Sequence, residues 1–310
     1  MKPVIAVGLN PAWQKTLVFD KLDFYEVNRA KSVMWTASGK GINFVRAAGN
    51  WGKADSVVYQ FSGGENGLNI VKYLDEEGLK HYSEKVAAET RVCTTCLCLG
   101  SGKMTELIEP SGTISSAESV SLLEALKAAL PSSAGLALCG TYPPGITEDF
   151  YKEAARSAAE LGLPVMMDAW MKVASVIDAG SVEVLKINTE ELFALTGRDD
   201  VDAAFGECFK KPLKVIAVTA GPGNAYLGTG GRIWEYEIPR LDKIVNPIGA
   251  GDTASAVFFS EYVSGTEVQE AFACGLAAAS ASCLFPRGGE FCREKALEIR
   301  NKIVIRKRSA

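Results

Sequence analysis

The stretch VNPIGAGDTASAVF, Val245 to Phe258, constrains this chain more than any other. The end of a short apolar strand is expected to run into Gly249, Ala250 and Gly251, followed by one acid, Asp252, and a run of good helix formers. Small residues at the head of a helix leave backbone N–H groups uncovered, and the helix dipole adds partial positive charge there. Such a turn suits an anion. A carboxylate is a poor ligand for a phosphate, so the natural task of Asp252 is to take a proton from a hydroxyl beside it, as a general base. The same residues also suit an ordinary Asp N-cap after a Gly-rich turn. The stretch alone leaves both readings open.

The rest of the chain narrows the chemistry. His81 is the only histidine among 310 residues, which argues against a Ser-His-Asp triad or a His-rich metal site. Eight cysteines without a secretion signal suggest reduced thiols in the cytoplasm. Cys93, Cys96 and Cys98 lie in VCTTCLCL, which reads as a packed strand rather than a metal box. A net charge of −4 speaks against nucleic acid or an anionic membrane surface as partner. The nearly uncharged stretch Ala271 to Pro286 reads as a buried helix rather than a membrane span, and the basic IRKRSA end as a solvated tail. Carboxylates, Lys, Arg and backbone must carry the chemistry.

Val4 to Leu9 reads as a buried strand, stopped by Asn10 and Pro11, which can turn side chains toward a ligand. Leu17 to Trp35 suits short extended segments, and Arg29 within them can meet an anionic substrate or be a solvated edge charge. Ser38, Gly39, Lys40 and Gly41 form a tight loop before a helix expected over Ile42 to Ala48. The loop is no GxxxxGK[ST] phosphate loop. Its glycines would let backbone approach a sugar, and Asn43 would bond hydroxyls.

SGKGIN at 38–43 together with GAGD at 249–252 resembles the paired signatures of the PfkB (ribokinase-like) carbohydrate kinases. With the opening LNPA and EVNR, the sequence is most similar to the branch holding 1-phosphofructokinase and tagatose-6-phosphate kinase. The resemblance spans nearly the whole chain. It implies an α/β fold with a mostly parallel central sheet flanked by helices, and a small β-sheet lid from about residues 10–36 and 88–112. The implied reaction is transfer of the γ-phosphoryl group of ATP, with Mg²⁺, to a sugar hydroxyl, Asp252 acting as base and Gly249, Ala250 and Gly251 holding the developing charge. Substrate-binding roles are implied for Asn10, Gln14, Arg29, Ser38, Gly39, Lys40, Asn43, Arg91 and Glu109. Arg91 would grip the phosphate already on the sugar. Nucleotide-binding roles are implied for Lys186, Asn188, Thr219, Gly221, Gly223 and Asn246. Asn188 and Glu191 match an NxxE motif implied to organise Mg²⁺ through water, though both also suit a helix start.

The middle of the chain alternates strands (57–61, 136–139, 164–168, 182–187, 214–219) with helices, the pattern of a parallel sheet covered on both faces. Candidate site residues fall at the carboxyl ends of those strands, where such sheets bind ligands. An edge-exposed lid also invites pairing, so a homodimer is expected. Three departures from the family pattern, Gln14 for Asp, Ser38 for Gly and Ile108 for Asn, argue against the usual handling of fructose 1-phosphate or tagatose 6-phosphate. Gln14 both donates and accepts, so a hydroxyl pair expecting two acceptors would be left partly unpaired. A kinase for a free sugar or nucleoside, and a non-catalytic sugar-phosphate sensor on the same fold, are the other readings.

Overall fold

The computed structural model describes residues 2–23, 25–169 and 173–308; Phe24, in the extended segment expected before Trp35, and the final Ser309 and Ala310 lie outside them. Along the chain run β1 (Val4–Val7), β2 (Ala12–Phe19), β3 (Ser32–Ser38), α1 (Lys40–Trp51), β4 (Ser56–Gly63), α2 (Gly64–Glu76), β5 (His81–Val86), β6 (Val92–Cys98) and β7 (Lys103–Ile108). There follow α3 (Ser116–Ala129), β8 (Gly135–Cys139), α4 (Glu148–Glu160), β9 (Val165–Asp168), α5 (Ala174–Asp178), β10 (Val184–Asn188), α6 (Thr189–Thr196) and α7 (Val201–Cys208). The last part comprises β11 (Val215–Thr219), β12 (Ala225–Thr229), β13 (Arg232–Glu237), α8 (Ala250–Val263), α9 (Val268–Ser282), α10 (Arg293–Arg300) and β14 (Val304–Lys307).

The large sheet has the order β14-β13-β12-β11-β10-β9-β8-β1-β4-β5. From β11 to β5 the pairings are parallel, while β12, β13 and β14 add an antiparallel edge. Alternation along the strands divides the core in two. Val4, Ala6, Met166, Val184 and Ala217 pack on one face beneath α1, α8 and α9. Ile5, Val7, Met167, Leu185 and Ile216 pack on the other with α3, α4 and α7. A second sheet, ordered β3-β2-β6-β7, forms the lid. Its strands fall in the two expected segments, except that β3 runs on to Ser38.

Some expectations need correction. No strand precedes Gly249: residues 241–248 form a loop, tied to the end of α9 by the Val245 and Asn246 amides, which donate to the Cys283 carbonyl. Pro247 lacks the amide a ladder requires. Helix α1 begins at Lys40, two residues earlier than expected. The basic end is not a free tail, because Val304–Lys307 pairs with β13 and Arg306 meets Glu237. The polar stretch at His81 is likewise a strand, paired to β4. Both are outermost strands of the sheet. There one side needs no burial, so the apolar signal is weak.

One glycine pair sets how close α1 comes to the sheet. A side chain at Gly41 would bring its Cβ to 2.8 Å from the Gly8 Cα and 2.9 Å from a Val58 methyl. The missing side chain of Gly41 therefore makes room for the end of β1 and for β4. Gly41→Ala is expected to destabilise the fold by about 1–3 kcal/mol, the usual cost of overpacking. Urea denaturation measures it, and a midpoint unchanged from wild type would show that α1 can retreat freely.

Candidate active site

The carboxyl ends of β1, β8, β9, β10 and β11 meet the heads of α1 and α8, and most sequence-predicted residues gather there. Gly249 caps α8 in the left-handed region, at φ 79°, and a Cβ on it would lie 2.9 Å from the Gly288 Cα. No residue with a side chain fits that position easily. Ala250, Gly251 and Asp252 form the first turn, where amides have no partner within the helix. The first helical bond runs from the Thr253 amide to the Gly249 carbonyl. A Cβ on Gly251 would come within 3.1 Å of Lys186 Nζ, so the lysine ammonium stands beside the turn.

Asp252 is buried, and its Oδ2 accepts from Asn43 Nδ2 at 2.8 Å, across 209 residues of sequence. Burial pushes its carboxyl above the usual aspartate range; Lys40 opposes the rise and the like charge of Asp168 adds to it. Asp168, at the end of β9, receives Lys40 Nζ on Oδ1 at 2.8 Å and the Ser255 hydroxyl on Oδ2 at 2.5 Å. Lys186 Nζ lies 3.9 Å from the same Oδ2. Burial would raise Asp168, but Lys186 and Lys40 outweigh it and hold the carboxyl low. Burial would likewise lower Lys40, yet Asp168 and Asp252 keep its ammonium above the ordinary lysine value. Two carboxylates thus differ in proton affinity according to their cations, the arrangement that separates a base from a structural acid.

Gly39 occupies the N-cap of α1, and Ser38 ends β3 opposite Ala12. Asn188 and Glu191 form a capping box at the head of α6: Asn188 Oδ1 accepts from the Glu191 amide and Glu191 Oε2 from the Asn188 amide, both at 2.8 Å. Among the described residues no three His, Cys, Asp or Glu side chains gather to hold a metal. Thr219 ends β11 beside Asn188, and Gly221 and Gly223 follow in an exposed turn. Asn246 is buried, and its carboxamide braces the loop, donating to the Pro286 carbonyl at 2.8 Å and accepting from the Ile248 amide at 3.0 Å.

A second cluster lies at the root of the lid. Arg91 Nη2 donates to the Asn10 carbonyl at 3.1 Å, and the Ser111 hydroxyl donates to Asn10 Oδ1 at 2.8 Å. These residues line a small cavity with Thr90, Phe61 and Pro143. Arg91 Nε is buried without a hydrogen-bond partner, an orphan donor. Gln14 is buried in the lid and donates from Nε2 to the Thr95 hydroxyl at 2.8 Å, which leaves its carbonyl as the end open to a ligand. Arg29 is exposed and apart from the cavity's lining, and Glu109 uses one oxygen to accept from the Val92 amide. Asp168, Ser255 and Arg46 were not legible as site residues. An Asp closing the apolar strand VMMD was the one available sign of Asp168.

The architecture is ribokinase-like, and a chain of this class carries its ligands at that carboxyl edge under the lid. The family model described as pfkB family carbohydrate kinase matches residues 9–294, and the chain belongs to that family of ATP-dependent sugar kinases. Among solved structures it is similar to Escherichia coli phosphofructokinase-2 in complex with substrates and products, at 20% identity and a TM-score of 0.89, over 97% of this chain and 99% of that one. A Thermotoga maritima protein described as a possible 1-phosphofructokinase matches at 21% identity and 0.88, over 99% of both chains. Arabidopsis thaliana ribokinase complexed with ribose and ATP matches at 20% and 0.77, over 96% of this chain and 98% of that one. At these identities the likeness is one of fold. No helix among the described residues is long and apolar enough to cross a membrane.

Proposed function

We propose that this kinase phosphorylates a hydroxyl of a hexose that already carries a phosphate, with Asp252 as general base. The observation that carries the reading is the buried Asp252 carboxylate in the first turn of α8, beside the turn of Gly249 to Gly251, where the Ala250 amide donates to the Pro247 carbonyl at 3.3 Å and the Gly251 amide has no partner within the helix. Burial brings its proton affinity toward the working range of a base. The substrate hydroxyl gives its proton to Asp252 and attacks the γ-phosphorus of ATP. Amides of the first turn, with Lys186 beside them, stabilise the charge growing on the transferred group. Asn188 and Glu191 would hold Mg²⁺ through water, and the ion supplies neutralisation of phosphate charge when bound.

Arg91 supports a phosphorylated substrate, since this cation lines the cavity at the root of the lid. Exposed Arg29 adds nothing to that case. The bond from Gln14 to Thr95 also softens the expected mismatch with the usual family sugars, because the carboxamide then offers its acceptor end. Apolar side chains stand exposed on the lid, among them Val33, Trp35, Leu107 and Ile108, and β7 is exposed along its whole length. These support pairing of lids between two copies of the chain.

ADP release measured over a panel of free and phosphorylated sugars tests the reading as a whole, and a chain that accepts only unphosphorylated sugars or nucleosides would overturn the substrate class. Asp252→Asn should retain ATP binding and lose about a hundredfold or more in kcat; turnover within a few-fold of wild type would reduce Asp252 to a helix cap. With Arg91→Ala, KM for the phosphosugar should rise far more than KM for ATP. Equal rises would place Arg91 in structure alone. Sedimentation equilibrium should give twice the chain mass of 33.1 kDa, and a single-chain mass at micromolar concentration would rule out lid pairing.

A further inference from the structure

We propose that Arg46 is a positioning residue for the base, fixing the Asn43 carboxamide so that its N–H₂ end faces Asp252. The inference rests on the role proposed for Asp252 and names what keeps that carboxylate ready. Arg46 lies one turn after Asn43 on α1 and is buried, at 6% exposure. Its Nη1 donates to Asn43 Oδ1 at 3.2 Å and to the Gly288 carbonyl at 2.9 Å. Nη2 donates to the Ala37 carbonyl at 2.9 Å and to Glu77 Oε2 at 2.7 Å, and Nε to the same Oε2 at 3.1 Å. Glu77 is held in turn by Arg287, whose Nη1 lies 2.7 Å from Oε1.

The chemistry of the two ends decides the outcome. A guanidinium only donates, so the carboxamide end that faces Arg46 must be its oxygen. The N–H₂ end then points the other way, to Asp252 Oδ2 at 2.8 Å. A donor aimed at a carboxylate favours the ionised form. Were the carboxamide turned over, its oxygen would meet a carboxylate oxygen, two acceptors in contact, and a proton on Asp252 would relieve the clash. Arg46 therefore holds Asp252 in the form that can accept a substrate proton, without touching it.

The other groups around Asp252 come from four elements. Lys40 reaches it from α1, Asp168 from the end of β9, Lys186 from β10 and the Cys139 thiol from the end of β8. Of these, Lys40 and Lys186 favour the carboxylate, whereas Asp168 and burial oppose it. None of them is bonded to Arg46, so among side chains Arg46 reaches Asp252 through Asn43; its bond to the Gly288 carbonyl bears on the Gly249 backbone instead.

Infrared titration of the full chain tests this without any ligand, by following the protonated-carboxyl band that is lost in Asp252→Asn. In Arg46→Lys, which keeps a cation for Glu77 but cannot span to Asn43 as well, the midpoint should move up by about one pH unit, tenfold in proton affinity. In Arg287→Lys, within the same ion network but without the bond to Asn43, it should stay at the wild-type value. With the best sugar phosphate of the panel, the acid limb of kcat in Arg46→Lys should move up equally and recover to within a few-fold of wild type at alkaline pH. A midpoint unchanged in Arg46→Lys, or a kcat lowered by one factor at every pH, would reduce Arg46 to a structural part. Should Arg46→Lys not fold, Glu77→Gln, which loosens Arg46 and preserves shape, must shift the midpoint the same way, and a wild-type midpoint there overturns the proposal. A shifted band in a protein whose Asp252→Asn variant still turns over would instead overturn the base assignment while leaving the orientation of Asn43 standing.

Discussion

Two carboxylates, Asp168 and Asp252, are buried at the carboxyl edge of the sheet, and much of the structure around them exists to keep them supplied with partners. An unpaired buried carboxylate costs several kcal/mol and would simply take up a proton. Asp168 avoids this with Lys40, Lys186 and Ser255, which come from α1, β10 and α8. Asp252 relies on Asn43 and on the more distant Lys40. Between them these contacts tie together elements from both ends of the chain. Unequal sharing of cations holds the Asp168 carboxyl low, while burial lifts that of Asp252.

That arrangement depends on backbone approaches that admit no side chain. Helix α1 sits against β1 and β4 because Gly8 and Gly41 meet nearly Cα to Cα, and this places Lys40 and Asn43 over the strand ends. Gly249 plays the corresponding part for α8, its left-handed backbone turning the helix head toward the sheet while Gly288 packs against it. The loop through Asn246 is closed onto Pro286, so the two glycine contacts and the Arg46–Gly288 bond brace one another. Energy spread over such coupled contacts is lost cooperatively.

The lid obeys different rules. It is a four-stranded sheet whose edge strands β3 and β7 are largely exposed; Trp13 stacks on Trp35 within the lid and joins it to the body by meeting the Tyr73 ring of α2 edge-on. Its buried polar face places Gln14 opposite Thr36, with Thr95 within bonding reach. Gln14, Thr16, Thr36 and Thr95 share that face, and Trp13 and Trp35 stand on the other.

Periodicity and composition determined the class of fold: alternating apolar strands and amphipathic helices with short connections leave few alternatives to a parallel sheet covered on both faces. Two short motifs, SGKGIN and GAGD, marked Asn43 and Asp252 because each motif is local, a glycine turn opening a helix. The helix start at Asn188 and Glu191, a capping box in the structure, was legible for the same reason. What the sequence could not decide were pairings between distant segments. The edge strands β5 and β14 escaped notice because half-exposed strands lack an apolar run. The backbone contact of Gly41 with Gly8 and the bonds by which Asn246 braces its loop are likewise pairings that no local pattern shows. Asp168 and Arg46 acquire their meaning only when β9, α1, α2 and α8 converge. Hydrogen bonds and ion pairs depend on proximity in space, and only the tertiary structure brings residues 43 and 252 within 2.8 Å.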